Sequence, residues 1–285
     1  MNAYSAYRDA VKTLTESGCE NAEFDARQLV EFCFSLNQTQ LLMKSRENVD
    51  ELKLKKFYDC VERRAGGEPL QYILEEWDFF DLKFKVGKGV LIPRPETEIL
   101  PRLAIEHLKK SGGKVVYDLC SGSGCVGISI AKFFPNCRVY MFEISDEANY
   151  YARQNIKLHN LFNVEIIQAD IKKGKKSFNI PNPDIIVSNP PYVPTYDIDL
   201  LQKEVLFEPR IALDGGIDGL DFYSIIAASW FKSLNNNGII AMECGENQVR
   251  GVLSFFLNIA AGGRVIKDDN DIDRVIMLKG RKKND

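Results

Sequence analysis

Short apolar runs alternate with longer helical patterns from about residue 93 onward. Each run holds five to seven residues and is rich in valine and isoleucine. The runs are KVVYDL (Lys114–Leu119), RVYMFE (Arg138–Glu143), VEIIQ (Val164–Gln168), DIIVS (Asp184–Ser188) and GIIAMEC (Gly238–Cys244). This alternation predicts an α/β domain in which helices cover both faces of a parallel sheet. Ligands of such open sheets bind beyond the carboxyl ends of the strands, so the residues that carry chemistry are expected there.

A different pattern covers the first 75 residues, where apolar side chains recur at helical spacing in three segments. The third segment begins after Asp50, a residue type that often caps helices, and ends at Gly66 and Gly67. These segments predict an all-helical domain over residues 1–75. Stripes of this kind build a core and carry no chemical information by themselves.

Between these two parts, apolar residues at every second position predict a β-hairpin. The alternation runs through Phe80, Leu82, Phe84 and Val86, pauses at the turn signal Gly87-Lys88-Gly89, and resumes at Val90 and Ile92. We expect the hairpin to occupy a linker over residues 76–92. The α/β domain is then expected over residues 93–285.

The composition argues against several classes of protein. A net charge of −3 and a pI near 5.7 argue against a nucleic-acid partner, since dedicated duplex-binding proteins are usually basic. The seven cysteines form no C-x-x-C pair and there are two histidines, which argues against a metal site and against a disulfide framework. The sequence also contains no signal-peptide pattern and no apolar stretch of membrane-spanning length. We therefore expect a reduced, cytoplasmic protein without a membrane partner.

The first apolar run of the expected sheet is followed by a short loop with two glycines. Its residues are Cys120, Ser121, Gly122, Ser123 and Gly124, and a helical pattern comes next. Glycine lets the backbone turn tightly and approach a ligand, and the N–H groups at the start of a helix can bind that ligand. A purely structural turn would also use glycine, so the loop alone does not identify a site.

The second and third strands end in residues that suit a nucleoside. Glu143 can accept hydrogen bonds from both hydroxyls of a ribose. The glycines do not follow G-x-G-x-x-G and no partner for a pyrophosphate is evident, so S-adenosylmethionine fits better than a dinucleotide. Asp170 can accept from an adenine amino group while Ile171 packs on the ring, or Asp170 can serve only as a helix cap.

The fourth strand ends in SNPPYVP, Ser188–Pro194, where two adjacent prolines remove two backbone donors and fix two φ angles. Such a rigid segment can hold the Asn189 side-chain oxygen and the Pro190 carbonyl toward both N–H groups of a planar NH₂. Tyr192 can lie against the face of that group. Asn189, Pro190 and Tyr192 are therefore the candidate catalytic residues, and together with Pro191 they form the candidate substrate site.

These features follow one another at four successive strand ends, an order that chance rarely produces. Together they predict a class I (Rossmann-like) S-adenosylmethionine-dependent methyltransferase domain, preceded by the small helical domain and the hairpin. The expected reaction is an in-line displacement at the sulfonium methyl group by the nitrogen of a planar NH₂. No strong base is required, because the methylated nitrogen becomes acidic and loses a proton readily.

Longer segments of the chain are also distinctive. They are GGEPLQYIL (Gly66–Leu74), VLIPRPETE (Val90–Glu98), DLCSGSGCVGISIA (Asp118–Ala131), SNPPYVP, FEPRIALDGGIDGLDFY (Phe207–Tyr223), MECGENQ (Met242–Gln248) and DRV (Asp273–Val275). With them the chain resembles the bacterial release-factor glutamine methyltransferases over nearly its whole length. Asn-Pro-Pro-Tyr also occurs in DNA and RNA amino-methyltransferases, whereas the IPRPETE and EPR…LxGGxDGL segments are more specific.

The resemblance implies that the acceptor is the glutamine amide in the Gly-Gly-Gln tip of peptide chain release factors. It implies that the helical domain helps to hold the release factor, and that Asn189–Tyr192 hold the glutamine. It also implies that Cys120–Gly124, Glu143, Ile171 and Asn189 contact S-adenosylmethionine. Cys120 and Ser121 replace residues that are usually small or Gly-Thr in the family, and Glu143 replaces the commoner Asp; neither change removes a catalytic group.

The segment Pro93–Glu98 would lie by the methionine end of the cofactor, with Arg94 and Thr97 as candidate contacts. Arg94 could instead have only a structural role and pair with Glu96 or Glu98. Nothing in the pattern chooses between these two readings.

Two other functions compete with this one. The same chemistry could act on a ribosomal-protein glutamine or on the amino group of a nucleic-acid adenine, although an adenine enzyme would need to flip the base and grip phosphates. The chain could also be a catalytically silent binding module. An intact Asn189–Tyr192 segment argues against the silent module, since binding alone does not require it.

Overall fold

The computed structural model of the chain describes residues 1–281 and divides into two compact units. The first unit contains Met1–Glu76 together with Gln202–Phe207. The second contains Trp77–Leu201 and the chain from Glu208 onward. The last four residues of the expected α/β domain, 282–285, lie outside the described residues.

The first unit is helical, as the sequence predicts. Its helices are α1 (Ala3–Glu16), α2 (Ala22–Phe34), α3 (Gln38–Met43), α4 (Glu51–Ala65) and α5 (Leu70–Leu74). Asp50 caps α4 by accepting hydrogen bonds from the backbone N–H groups of Leu52 and Lys53. The helices α3 and α5 were not predicted, because six and five residues are too few to show a helical period.

A buried ion pair lies inside this unit. Arg64 on α4 donates to Asp25 on α2 over 2.6 Å, and both side chains are only 6% exposed. Arg64 also pairs with Glu204, which belongs to the second segment of the unit. Because a buried charge is costly unless it is paired, Arg64 requires these carboxylates for the fold to be stable.

The hairpin is present, but its predicted turn is wrong. Strands β1 (Glu76–Phe79) and β2 (Leu82–Lys85) are joined at Phe80 and Asp81, not at Gly87–Gly89. Both joining residues have positive φ, +51° and +57°, as a two-residue hairpin turn requires.

Tertiary contacts explain this turn, since phenylalanine is not a turn-forming residue. The Phe80 N–H donates to the Glu98 carboxylate over 2.8 Å. The Phe80 ring also packs edge-to-face on Phe133, with 5.4 Å between the ring centroids. Both partners are distant in sequence, and a local pattern therefore could not reveal them.

The second unit is built on a seven-stranded sheet. Its strands are β3 (Val115–Leu119), β4 (Arg138–Glu143), β5 (Val164–Gln168), β6 (Ile185–Ser188), β7 (Ile239–Glu243), β8 (Ala260–Lys267) and β9 (Asp273–Gly280). Their order is β5-β4-β3-β6-β7-β9-β8, with the first five parallel and the last two antiparallel. The five predicted strands are confirmed to within one residue at each end. The antiparallel pair was not predicted.

Helices cover both faces of this sheet. They are α6 (Ile99–Ser111), α7 (Cys125–Phe133), α8 (Asp146–Leu158), α9 (Asp221–Ser229) and α10 (Val249–Ser254). Alternate strand residues enter two separate cores, one with α6, α7 and α8 and the other with α9 and α10. The strand order reverses between β3 and β6, and that point of an open α/β sheet is the usual place for a ligand.

The contribution of the buried ion pair to the stability of the helical unit can be tested by mutation. Replacing Arg64 by Ala should lower the free energy of unfolding by about 3–5 kcal/mol, because Asp25 is left buried without its partner. Urea denaturation followed by circular dichroism measures this change. The matched control is Arg63→Ala at the neighbouring, half-exposed pair with Glu68, which should cost less than about 1 kcal/mol. Equal losses in the two variants would contradict the assignment.

Candidate active site

A cavity of about 170 Å³ lies beyond the carboxyl ends of β3, β4, β5 and β6. The predicted cofactor residues that line it are Arg94, Thr97, Cys120, Ser121, Gly122, Ser123, Glu143, Asp170, Ile171 and Asn189. Pro191 of the predicted substrate site also lines it, whereas Gly124, Pro190 and Tyr192 are not among its lining residues. Residues from four strand ends therefore meet around one cavity.

The glycine loop between β3 and α7 uses left-handed backbone at three positions. Cys120, Gly122 and Gly124 have φ of +60°, +56° and +80°. Glycine adopts this region freely, whereas Cys120 does so at a cost of about 1–2 kcal/mol. Added side-chain atoms at Gly122 would meet open space, so the loop backbone faces a region that a ligand can approach.

The buried carboxylate of Asp118 fixes the start of α7, the helix that follows this loop. Asp118 is 1% exposed and accepts a hydrogen bond from the Gly127 N–H in the first turn of α7 over 2.8 Å. Any side chain on Gly127 would meet the Asp118 Oδ2 at 2.9 Å, so glycine is needed for this close approach. Burial raises the pKa of Asp118 to about 7, although the bond from Gly127 opposes the shift.

Glu143, at the end of β4, ties the loop to its own strand end. Its Oε2 accepts from the Gly122 N–H over 2.8 Å, and its Oε1 accepts from the N–H groups of Ile144 and Ser145 over 2.8 and 2.9 Å. Burial raises the pKa of Glu143 while these three donors oppose that change. The carboxylate is held in one orientation, and Oε2 keeps one further lone pair for a ligand.

Asp170 caps a short 3₁₀-helix over Ile171–Lys173, and it also lines the cavity. Its Oδ1 accepts from the Lys172 N–H over 2.9 Å. The capping alternative is thus present in the structure, and the contact with adenine stays a prediction. Ile171 is 4% exposed, and its carbonyl accepts from the Trp230 indole N–H over 2.8 Å.

Arg94 pairs with Glu208, not with Glu96 or Glu98 as the structural alternative supposed. Glu208 is 5% exposed and also accepts from the Ile92 N–H over 3.0 Å. The partner lies 114 residues further along the chain, in the FEPRIALDGGIDGLDFY segment. Arg94 is therefore fixed at the rim of the cavity by the same segment that supports the Asn-Pro-Pro-Tyr loop.

That loop is held on both sides by backbone contacts. The Val193 N–H donates to the Leu213 carbonyl, and the Gly215 N–H donates to the Val193 carbonyl, each over 2.9 Å. A side chain at Gly215 would meet the Tyr192 Cα at 2.7 Å, which explains why glycine stands there. The amide of Gln248 donates to the Tyr192 carbonyl over 2.8 Å. The loop is rigid because of these contacts as well as its prolines.

Sequence reasoning missed Glu243, the last residue of β7. Its carboxylate is fully buried and accepts hydrogen bonds from Thr97 Oγ1 over 2.6 Å and from the Tyr192 hydroxyl over 3.3 Å. The Asn189 Nδ2 donates in turn to Thr97 Oγ1 over 3.3 Å. Burial raises the pKa of Glu243 to about 7. The signal was available, since Glu243 also ends a parallel strand at the same edge of the sheet.

Residues 1–281 contain neither a candidate metal site nor a membrane-spanning helix. No cluster of three or more His, Cys, Asp and Glu side chains suitable for a metal ion occurs there. No helix in the same range is long and apolar enough to span a membrane.

Two protein families match separate parts of the chain. Residues 5–74 match the family described as PrmC N-terminal domain, and residues 96–210 match the family described as Methyltransferase small domain. Among solved structures, the hMettl16 catalytic domain has a TM-score of 0.57 at 13% identity, with 81% of this chain and 82% of that chain covered. At that identity the likeness concerns the fold alone.

Curated relatives are far more similar. The release factor glutamine methyltransferase of Thermodesulfovibrio yellowstonii is 38% identical over 265 residues, which is 90% of this chain and 92% of the relative. The protein of the same name from Clostridium acetobutylicum is 34% identical over 285 residues, 97% of this chain and 98% of the relative. With such identity over nearly the full length of both partners, the chain belongs to the release factor glutamine methyltransferase family.

Proposed function

We propose that this chain transfers a methyl group from S-adenosylmethionine to the side-chain amide nitrogen of the glutamine in the Gly-Gly-Gln tip of peptide chain release factors. The observation that carries the proposal is the rigid Asn189–Tyr192 loop beside a cavity lined by Glu143 and the glycine loop. Membership of the family supports the choice of acceptor, because the relatives are named for methylation of a release factor glutamine.

The residues around the cavity fit S-adenosylmethionine. The Ser121 hydroxyl is buried and has no hydrogen-bond partner among the described residues, so a ligand in the cavity would satisfy it. Glu143 offers the open lone pair of its Oε2 to a ribose hydroxyl, and Ile171 offers an apolar surface suited to adenine. When bound, S-adenosylmethionine supplies an electrophilic sulfonium methyl group.

The chain's own contribution is to orient the acceptor. The Asn189 side-chain oxygen and the Pro190 carbonyl would accept hydrogen bonds from both N–H groups of the glutamine amide and so set its plane. Tyr192 would limit the tilt of that plane. These groups are held before the reaction begins, since Pro190 and Pro191 fix the backbone and Gln248 holds the Tyr192 carbonyl.

The helical domain would help to hold the release factor. Its support is the match of residues 5–74 to the N-terminal domain family. Under this proposal the chain has a recognition part over about residues 1–75 and a catalytic part that begins after the hairpin.

The direct test is to incubate the protein with S-adenosylmethionine and an unmethylated release factor, then map added methyl groups by peptide mass spectrometry. One methyl group on the Gly-Gly-Gln glutamine is the expected result. An unmodified release factor, with cofactor binding intact, would contradict the acceptor and favour a ribosomal-protein glutamine or adenine. Failure to bind the cofactor in a thermal-shift assay would instead favour a silent binding module.

Replacing Asn189 by Ala should abolish methyl transfer, with a loss of at least about 10²- to 10³-fold in kcat because an acceptor of the reacting amide is removed. Affinity for S-adenosylmethionine should fall but stay measurable by calorimetry. Asn182→Ala is the matched control, since Asn182 is exposed and precedes the opposite end of β6. Near-normal turnover by the Asn189 variant would refute the role.

Replacing Ser121 by Ala should weaken S-adenosylmethionine binding by about 2- to 10-fold, the value of one hydrogen bond. The thermal stability of the cofactor-free protein should stay unchanged, because the hydroxyl has no partner within residues 1–281. Ser129→Ala provides a close control: the Ser129 hydroxyl is also buried and without a partner in the described part of the chain, but Ser129 does not line the cavity. Equal cofactor affinities in the two variants would show that Ser121 does not contact the ligand.

A further inference from the structure

One buried carboxylate connects two segments of the active site that are far apart in sequence. Glu243 receives the Thr97 hydroxyl from the 3₁₀-helix Pro95–Glu98 and the Tyr192 hydroxyl from the Asn-Pro-Pro-Tyr loop. Thr97 is 1% exposed and Glu243 is fully buried. Neither residue has a part in the mechanism above, so the contact of Thr97 with Asn189 and the link from Thr97 to Glu243 require their own explanation.

The direction of each hydrogen bond follows from the number of protons available. A carboxylate can only accept, so the single hydroxyl proton of Thr97 points to Glu243 over the 2.6 Å contact. The Thr97 oxygen can then only accept from its other neighbour. Asn189 must therefore present its Nδ2 to Thr97, and this assignment does not depend on telling oxygen from nitrogen in the amide.

The contact between Asn189 Nδ2 and Thr97 also determines which atom of the Asn189 amide faces a ligand. With Nδ2 held by Thr97, the Oδ1 atom is the one that remains for a ligand in the cavity. A free asparagine amide could turn over at little steric cost and offer an N–H in place of the oxygen. Glutamine and glutamate differ in just this respect, because the first offers N–H donors and the second offers only acceptors.

We propose that Thr97 and Glu243 are positioning residues that lock the Asn189 amide with Oδ1 toward the acceptor, so that the site selects a glutamine amide over a glutamate carboxylate. The inference rests on the proposed function and extends it to the origin of acceptor specificity. A site built to receive an N–H rejects an analogue that lacks it, since its own polar atom is left unpaired. In this inference Thr97 orients Asn189 and does not bind the methionine end of the cofactor.

The orientation of the Asn189 amide depends on the charge of Glu243. Other titratable or charged groups also act on Glu243 or feel its charge: Glu96, Cys125, Tyr192, Tyr223, Cys244 and Arg274. Burial, the largest effect, and Glu96 raise the pKa of Glu243 to about 7, whereas the two hydroxyl donors and Arg274 lower it. A protonated Glu243 can donate to Thr97, whose hydroxyl then turns to Asn189 and favours the reversed amide. The locked form is thus present above about pH 7 and is lost as the pH falls through that value.

The test compares Thr97→Val, which removes the hydroxyl at nearly constant shape, with Thr97→Ser, which keeps it. Ser129→Ala, away from the cavity, serves as the control for loss of a buried hydroxyl. For each protein one measures kcat on the release factor, the Kd for S-adenosylmethionine, and the relative affinity for release factors with Gln or Glu at the tip.

Thr97→Val should lower kcat by about 10- to 100-fold, the range for a hydrogen bond to a charged group, with the cofactor Kd within about twofold of the starting protein. Its preference for a Gln tip over a Glu tip should fall by a similar factor, and Thr97→Ser should recover most of both losses. The starting protein should also lose part of its Gln preference between pH 8 and pH 6, whereas Thr97→Val should not. Asp118, whose pKa is also about 7, is present in both proteins and cannot cause that difference.

Two results would overturn the inference. One is a Thr97→Val protein with unchanged kcat and tip preference. The other is a variant whose only defect is weak cofactor binding, which would make Thr97 a cofactor contact. If Thr97→Val does not fold, a Gln preference of the starting protein that stays constant from pH 8 to pH 6 overturns it instead. Failure of the proposed function would give a different result, because the starting protein itself would then leave the release factor unmodified.

Discussion

Parallel pairing of β3 with β6 is the constraint on which the rest of the active site depends. Leu119 and Ser188 are opposite each other at the ends of these strands, and the Ser188 hydroxyl donates to the Leu119 carbonyl over 2.7 Å. The next residues along the two chains are Cys120 of the glycine loop and Asn189 of the Asn-Pro-Pro-Tyr loop. The proposed cofactor site and the proposed acceptor site are therefore neighbours because two strands share a register.

Three buried carboxylates then fix the loops that leave this edge of the sheet. Asp118 holds the start of α7, Glu143 holds the glycine loop, and Glu243 holds Thr97 and Tyr192. Burial raises the pKa of each, which means that the folded chain maintains these charges at a cost in stability. Donors that point at each carboxylate offset part of that cost and fix its orientation. The cost is consistent with a functional role, since functional sites concentrate groups with shifted pKa values.

Much of this arrangement could be predicted because the relevant patterns are local. Val and Ile runs identified the five parallel strands, and the residues that follow four of these strands identified part of the cavity lining. The hairpin turn at Phe80 could not be predicted, since contacts with Glu98 and Phe133 stabilise it. The antiparallel strands β8 and β9 were also missed; β8 contains adjacent glycines, Gly262 and Gly263, that weaken a strand pattern.

The side-chain pairings at the site could not be predicted either, because the partners are far apart in sequence. Arg94 had two acidic neighbours within its own segment, yet its partner Glu208 is 114 residues away. Glu243 follows the strand-end rule that found Glu143, but its role is visible only when Thr97 and Tyr192 are seen to converge on it. Sequence patterns thus locate polar groups at the site, and the fold decides which of them interact.

The most direct measurement is a crystal structure of the protein with S-adenosylhomocysteine and an unmethylated release factor. We predict that the tip glutamine nitrogen lies about 3 Å from both the Asn189 Oδ1 and the Pro190 carbonyl oxygen, with Thr97 still between Asn189 and Glu243. A glutamine nitrogen bound elsewhere, or an Asn189 side chain turned away from Thr97, would contradict it.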